Sequence, residues 1–176
     1  MNGKFIILWS YFMKSSKLIR YLNRLEKPAF NRLERFLHSD YTSVYPMALK
    51  LFSVLKKHFP EFDEKEIEKE VVFSQLFPGQ KFSTQELSNH MKYLVEAIED
   101  FICVEQLKKK KSLKQFLLLE QLRLQDQQLY KESIDKFGAL ISKEKSLDSS
   151  DQFLMELNFH HEKDLFFSQT ELREQN

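Results

Sequence analysis

Glycine is scarce in this chain: three residues in 176, at positions 3, 79 and 138. No glycine-rich phosphate loop or dinucleotide fingerprint can be written with them, which excludes the common nucleotide-binding enzymes. Only four prolines are present, and so few turn residues argue against a strand–turn–strand architecture. A single cysteine, Cys103, rules out an intramolecular disulfide and a cysteine zinc cluster. It fits a reducing compartment and predicts a cytoplasmic location. Next to Ile102 it reads as a small core side chain; a catalytic thiol would want a histidine and an electropositive setting, and neither is local. Long apolar runs are also missing. The longest, Phe5 to Met13, has nine residues with Ser10 among them, too short to span a bilayer.

What is there is material for helices. Hydrophobic residues make up 42% of the chain and 17 are phenylalanine, ample for a core. The stretch with the strongest local signals is Lys65 to Cys103. Ile67, Val71, Val72 and Leu76 step at the spacing of a buried helical stripe. Phe77-Pro78-Gly79-Gln80 then reads as a type II turn, with Pro78 supplying the fixed φ and Gly79 the positive one. Ser83 and Glu86 match a capping box, and Phe82 with Leu87 a hydrophobic staple. From Leu87 the residues Met91, Leu94, Ile98 and Phe101 form one seam over about four turns.

Around this hairpin the pattern stays helical. Leu18, Tyr21, Leu22 and Leu25 share a face; Pro28 opens a helix through Phe30, Leu33, Phe36 and Leu37; Pro46 opens another through Leu49, Phe52 and Leu55. Residues 61–70 hold six acids and two lysines, with Asp63 or Glu64 placed to cap the next helix. Ser112 is an N-cap candidate for a helix from Leu113 through Leu129. Its Phe116-Leu117-Leu118-Leu119 turn, apolar nearly all round, predicts cover from several neighbours. Further helices are expected over about Tyr130–Ser142 and from Asp148 or Ser150 onward, the last carrying Phe153, Leu154, Leu157, Leu165 and Phe166. The expectation is an all-α fold, an antiparallel helical bundle or stacked helical hairpins of about seven helices. Residues 1–16 read as an N-terminal extension, 17–107 as a helical domain around the hairpin, and 108–176 as helical hairpins packed on it. For the first twelve residues the readings are a translation start at Met13, a disordered or helical extension, or a signal-type apolar region behind Lys4.

Net charge is +1 overall but comes in blocks: +6 over residues 1–37, −4 over 38–103, +4 over 104–114 and −5 over 115–176. Arg20, Arg24, Arg32 and Arg35, with the run Lys108, Lys109, Lys110 and Lys111, are the candidates for contacts to phosphate or to an acidic partner. The hairpin has the order of a helix-turn-helix, and Gln85, Ser88, Asn89 and Lys92 stand where a reading helix would contact bases. Glu86, Glu96, Glu99 and Asp100 leave that helix negative, against a phosphate backbone. Near the C-terminus Glu156, His160 and Asp164 fall four apart beside His161 and Glu162. They read as a solvated polar face more readily than as a metal site, which would want ligands from a second helix. His38, His58 and His90 have no nucleophile or acid in context.

The segment Arg35-Phe36-Leu37 with Ser39 and Tyr41, then Lys56-Lys57-x-Phe59-Pro60-x-Phe62, Lys69 to Phe73, and Leu76-Phe77-Pro78-Gly79-x-x-Phe82 resembles a family of uncharacterised bacterial all-helical proteins. Met91, Leu94, Glu99 and Phe101 continue the likeness, which covers roughly residues 18–170. The resemblance implies the fold and a chain shortened at its C-terminus, and, with nothing matching upstream of Leu18, it supports the start at Met13; it implies no activity. The resulting expectation is a non-enzymatic protein–protein interaction module with a protein partner, no transmembrane segment and no cofactor. The second reading is a helix-turn-helix-like nucleic-acid-associated regulatory protein.

Overall fold

The computed structural model describes residues 13–40, 42–143 and 149–174. The expectations for residues 1–12 and for Tyr41 lie outside them. The described residues hold eight α-helices and no strand. After a 3-10 turn, Met13–Ser15, come α1 (Lys17–Asn23), α2 (Lys27–Leu37), α3 (Pro46–Lys56), α4 (Lys69–Leu76), α5 (Thr84–Lys109), α6 (Lys111–Leu122), α7 (Gln127–Ile141) and α8 (Ser149–Glu174). The chain divides into two compact units, Met1–Ile102 and Cys103–Asn176, the division falling inside α5.

The N-terminal unit has an apolar interior in the ordinary sense. Leu18, Ile19 and Leu22 from α1, Phe30, Leu33 and Leu37 from α2, and Leu51, Phe52 and Leu55 from α3 are buried, each set at helical spacing. Phenylalanine joins the elements: Phe30 stacks on Phe52 at 5.3 Å and on Phe59 at 4.0 Å, and Phe73 meets Phe77 and Phe82 at 4.8 and 5.4 Å. Prolines 28 and 46 sit in the first turns of α2 and α3, where no amide partner is lost.

The central hairpin follows the expected chemistry at its turn. The Gln80 amide donates to the Phe77 carbonyl at 3.2 Å, and Gly79 has φ +80, the value a type II turn needs at its third residue. Ser83 accepts from the Glu86 amide at 3.3 Å, capping α5. The seam beyond it is buried at Leu87, Leu94, Ile98 and Phe101.

Upstream of the turn the expectation is corrected. The helix begins at Lys69, not Lys65. Asp63 caps a local turn instead, its carboxylate accepting from the Lys65 amide at 3.0 Å while its carbonyl accepts from Glu66 and Ile67. Ile67 is buried from that turn. Just before it, Phe62 takes φ +46 and is fully buried. A left-handed L-residue costs about 1–2 kcal/mol, and burying a phenylalanine returns about 1.5–3 kcal/mol, so packing of this ring decides the backbone there.

In the C-terminal unit α6, α7 and α8 pack pairwise. The turn at 123–126 reverses the chain, and Asp126 caps α7 by accepting from the Gln128 and Leu129 amides, both at 2.9 Å. Aromatic pairs fix the sense of the next pairing. Phe137 meets Phe159 at 6.1 Å and Tyr130 meets Phe166 at 5.8 Å, so α8 runs antiparallel to α7. Gly138 makes room for the Phe159 ring of α8, since a Cβ there would lie 2.8 Å from it. Ser112 is no N-cap: it is buried within α6, which starts from Lys110 without a side-chain cap.

Gly79→Ala tests the turn. Nothing lies within 4 Å of an added Cβ, so the expected loss, about 1–2 kcal/mol in urea denaturation followed by circular dichroism, comes from the positive φ alone. An unchanged midpoint would show that the turn does not need glycine.

Candidate interaction surface

The C-terminal unit departs from ordinary patterning on both sides of its helices. Its core is small: Leu119, Tyr130, Ile134, Phe137, Ile141 and Met155. The buried polar residues among those described, Ser112, Gln115, Ser133 and Glu162, all belong to this unit. Its outward faces meanwhile carry large apolar side chains, with Leu117 46%, Phe153 68%, Leu157 55% and Phe167 56% exposed. The Phe116–Leu119 turn is therefore not covered all round. Leu119 faces inward while Leu117 and Leu118 face out, because Ser112 and Gln115 share the buried face with Leu119.

The cause lies in α8. Met155, Phe159, Glu162 and Phe166 form its inward face. Glu162 is 2% exposed and has three contacts. Arg123 donates to its Oε1 at 3.1 Å, the Tyr130 hydroxyl lies 2.6 Å from Oε2, and that hydroxyl is also 3.0 Å from the Glu162 carbonyl. A carboxylate taken out of water is tolerated only with such partners. Half a helical turn away, Phe153, Leu157, His160, Asp164 and Phe167 point outward. The Glu156–His160–Asp164 face is solvent-exposed as expected. Phe153, Leu154 and Leu157 share that exposure instead of opposing it, and Glu162 is withdrawn into the core.

Desolvation, followed by the hydrogen bond to Glu162, pushes the Tyr130 hydroxyl well above its ordinary value of 10.0. Among the described residues no group of three His, Cys, Asp or Glu side chains is gathered as a metal site would need, and no helix is long and apolar enough to cross a membrane.

Arg20, Arg24, Arg32 and Arg35 are exposed on α1, the residue ending it, and α2 of the N-terminal unit. The lysine run belongs to the C-terminal unit, where Lys110 pairs with Asp151 at 2.6 Å and Lys108 with Glu105 at 3.1 Å. Lys109 and Lys111 are exposed, and Lys111 also has an intramolecular contact. The run thus serves in part to hold the α5–α6 junction, where Lys110 leaves helical geometry at φ −91, ψ 85. Gln85, Ser88, Asn89 and Lys92 are exposed on α5, with Gln85 donating to Asn89 at 3.1 Å.

Elsewhere on α5, Glu99 binds Lys17 at 2.6 Å and accepts from the Tyr21 hydroxyl at 2.8 Å. These bonds, Lys17 first, hold the Glu99 carboxyl below its ordinary value. Lys17 and Glu99 help line a cavity of about 320 Å³ together with Leu18, Met91 and Val95. Lys17 and Glu99 are paired with each other there.

Cys103 is exposed, not a core side chain; Phe101, two residues earlier, takes the buried position. His38 is exposed, His58 is half-buried and bonded to Glu66 at 2.8 Å, and half-buried His90 lies 5.7 Å from the Phe77 ring.

The Glu162 network escaped sequence reasoning because Arg123 and Tyr130 carry no spacing signal toward a residue more than 30 positions away. One cue was present. α8 has two apolar stripes, through Met155, Phe159 and Phe166 and through Phe153, Leu157 and Phe167, and only one of them can face the core.

No family model matches the chain, and neither a curated protein nor a solved structure matches it.

Tyr130→Phe leaves Oε2 of Glu162 without its donor and is expected to destabilise the C-terminal unit by about 1–3 kcal/mol. The raised Tyr130 value means that the folded state holds the phenol proton more tightly than the unfolded state. Its contribution is complete below pH 10.0 and fades as pH climbs toward the folded value. Denaturation midpoints should therefore fall in alkali more steeply for the native chain than for Tyr130→Phe; parallel profiles would contradict the buried hydrogen bond.

Proposed function

We propose that the protein is a non-enzymatic helical interaction module whose binding surface is the outward apolar face of the C-terminal unit. The observation that carries this reading is the inverted patterning of that unit, polar groups inside and Leu117, Leu118, Phe153 and Leu157 outside. Large apolar side chains left in water are unfavourable there, and a partner that covers them removes that cost. The N-terminal unit, apolar within, serves as the framework. A cytoplasmic setting suits the exposed single thiol of Cys103. Membership of the helical family with the Leu76-Phe77-Pro78-Gly79 turn belongs to the same reading.

Capture from a nuclease-treated native lysate tests it. The expected outcome is a set of retained proteins that is lost when Leu117 and Leu118, or Phe153 and Leu157, are changed to Glu. These side chains are exposed, so helicity by circular dichroism should be unchanged. Retention indifferent to both pairs would reject the surface. Duplex DNA binding that weakens steeply with salt, and is lost on changing Arg20, Arg24 and Arg35, would move the function to the basic face and the nucleic-acid reading.

A further inference from the structure

The outward stripe of α8 is not only apolar; its order is self-complementary. Phe153, Leu157, His160, Asp164 and Phe167 follow one another at intervals of four, three, four and three, the spacing of a coiled-coil seam. All five are exposed, and from Phe153 to Phe167 they span about 21 Å of helix.

We infer that this stripe pairs with the same stripe of a second copy of the chain, the two α8 helices running antiparallel. The inference rests on the interaction reading above and names its partner. With the two-fold axis level with residue 162, Leu157 lies against the partner's Phe167 and His160 against the partner's Asp164, and both pairs recur by symmetry. Leu157 and Phe167 then meet across the axis and each imidazole N–H donates to a carboxylate, while Phe153 falls opposite position 171, a glutamate, at the end of the seam.

The alternatives are worse in chemistry. A parallel pairing sets Asp164 against the partner's Asp164. Moving the antiparallel axis by two residues, to 160, sets Phe153 against the partner's Phe167 but brings the two imidazoles together and places Leu157 against the partner's Lys163. A two-fold interface uses one patch on both copies, so a self-complementary stripe closes into a dimer and does not propagate. The matched residues, Leu157 to Phe167, cover about 15 Å of helix, less than a standard interface provides, so a weak dimer is expected, with a dissociation constant on the order of micromolar.

Sedimentation equilibrium of the full chain in reducing buffer, from about 1 to about 200 µM, brackets that affinity. A concentration-dependent dimer is expected. Leu157→Glu with Phe167→Glu should abolish it. His160→Asp or Asp164→His alone should weaken it about tenfold or more, and the exchanged pair His160→Asp/Asp164→His should recover most of the loss. The single charge variants keep the test open if the double Glu variant loses helicity. Monomer at every concentration, a dimer indifferent to these changes, or an exchanged pair as weak as the singles would each overturn the pairing. A monomer that still captures lysate proteins through Phe153 and Leu157 would overturn self-association and leave the interaction reading standing. A monomer that captures nothing would remove both.

Discussion

The C-terminal unit depends on the burial of one carboxylate. Glu162 sits 2% exposed between Arg123 and the fully buried Tyr130, and removing a charge from water is tolerable only while both partners hold it. Because α8 is a straight rod of side chains at fixed angles, placing Glu162 inward sets the rotation of the helix. Met155, Phe159 and Phe166 go in with it, and Phe153, Leu157 and Phe167 must come out. The hydrogen-bonded Glu162 thus shares the inward face with Met155, Phe159 and Phe166, and Phe153, Leu157 and Phe167 lie on the outward one.

The two units solve the same problem with different means. In the N-terminal unit the described buried side chains are apolar, and ring-on-ring contacts such as Phe30 with Phe52 and Phe59 fill the space between short helices. Its ionic contacts, Lys17 with Glu99 and Lys56 with Glu34, lie at the surface, where they orient helices more than they stabilise them. The C-terminal unit has fewer apolar residues to bury and spends several of those it has on its exterior. Its specificity of packing comes from directional polar bonds, including Gln115 to the Ser133 carbonyl at 3.4 Å. Such bonds admit fewer alternative arrangements than an all-leucine interface would.

Lys17 and Glu99, which line the cavity of the N-terminal unit, are paired with each other. α6 and α8 present Leu117, Leu118, Phe153 and Leu157 to solvent, while Ser112, Gln115 and Glu162 lie buried beside an apolar core. The basic residues that suggested phosphate contacts are divided between the units, and Lys108 and Lys110 are already paired within their own.

The helical class, the Phe77–Gln80 turn, the Ser83 cap and the Leu87–Phe101 seam were legible in the sequence, because each depends on residues within a turn or two of one another. Local steric and hydrogen-bonding rules suffice there: Gly79 tolerates a positive φ, and Ser83 reaches the Glu86 amide. The start of α4, the inward position of Ile67 from a turn, and the exposure of Cys103 were not legible, since the packing of Phe62 and Phe101 decided them. The same holds most of all for α8. Its two stripes are nearly equal in apolar content, so periodicity alone could not orient it. The choice came from Arg123 and Tyr130, brought by the fold from two other segments to a single carboxylate. Short-range stereochemistry determined the helices and their caps; tertiary contacts, formed only once α6, α7 and α8 were packed, determined which face of the last helix is buried and which is exposed.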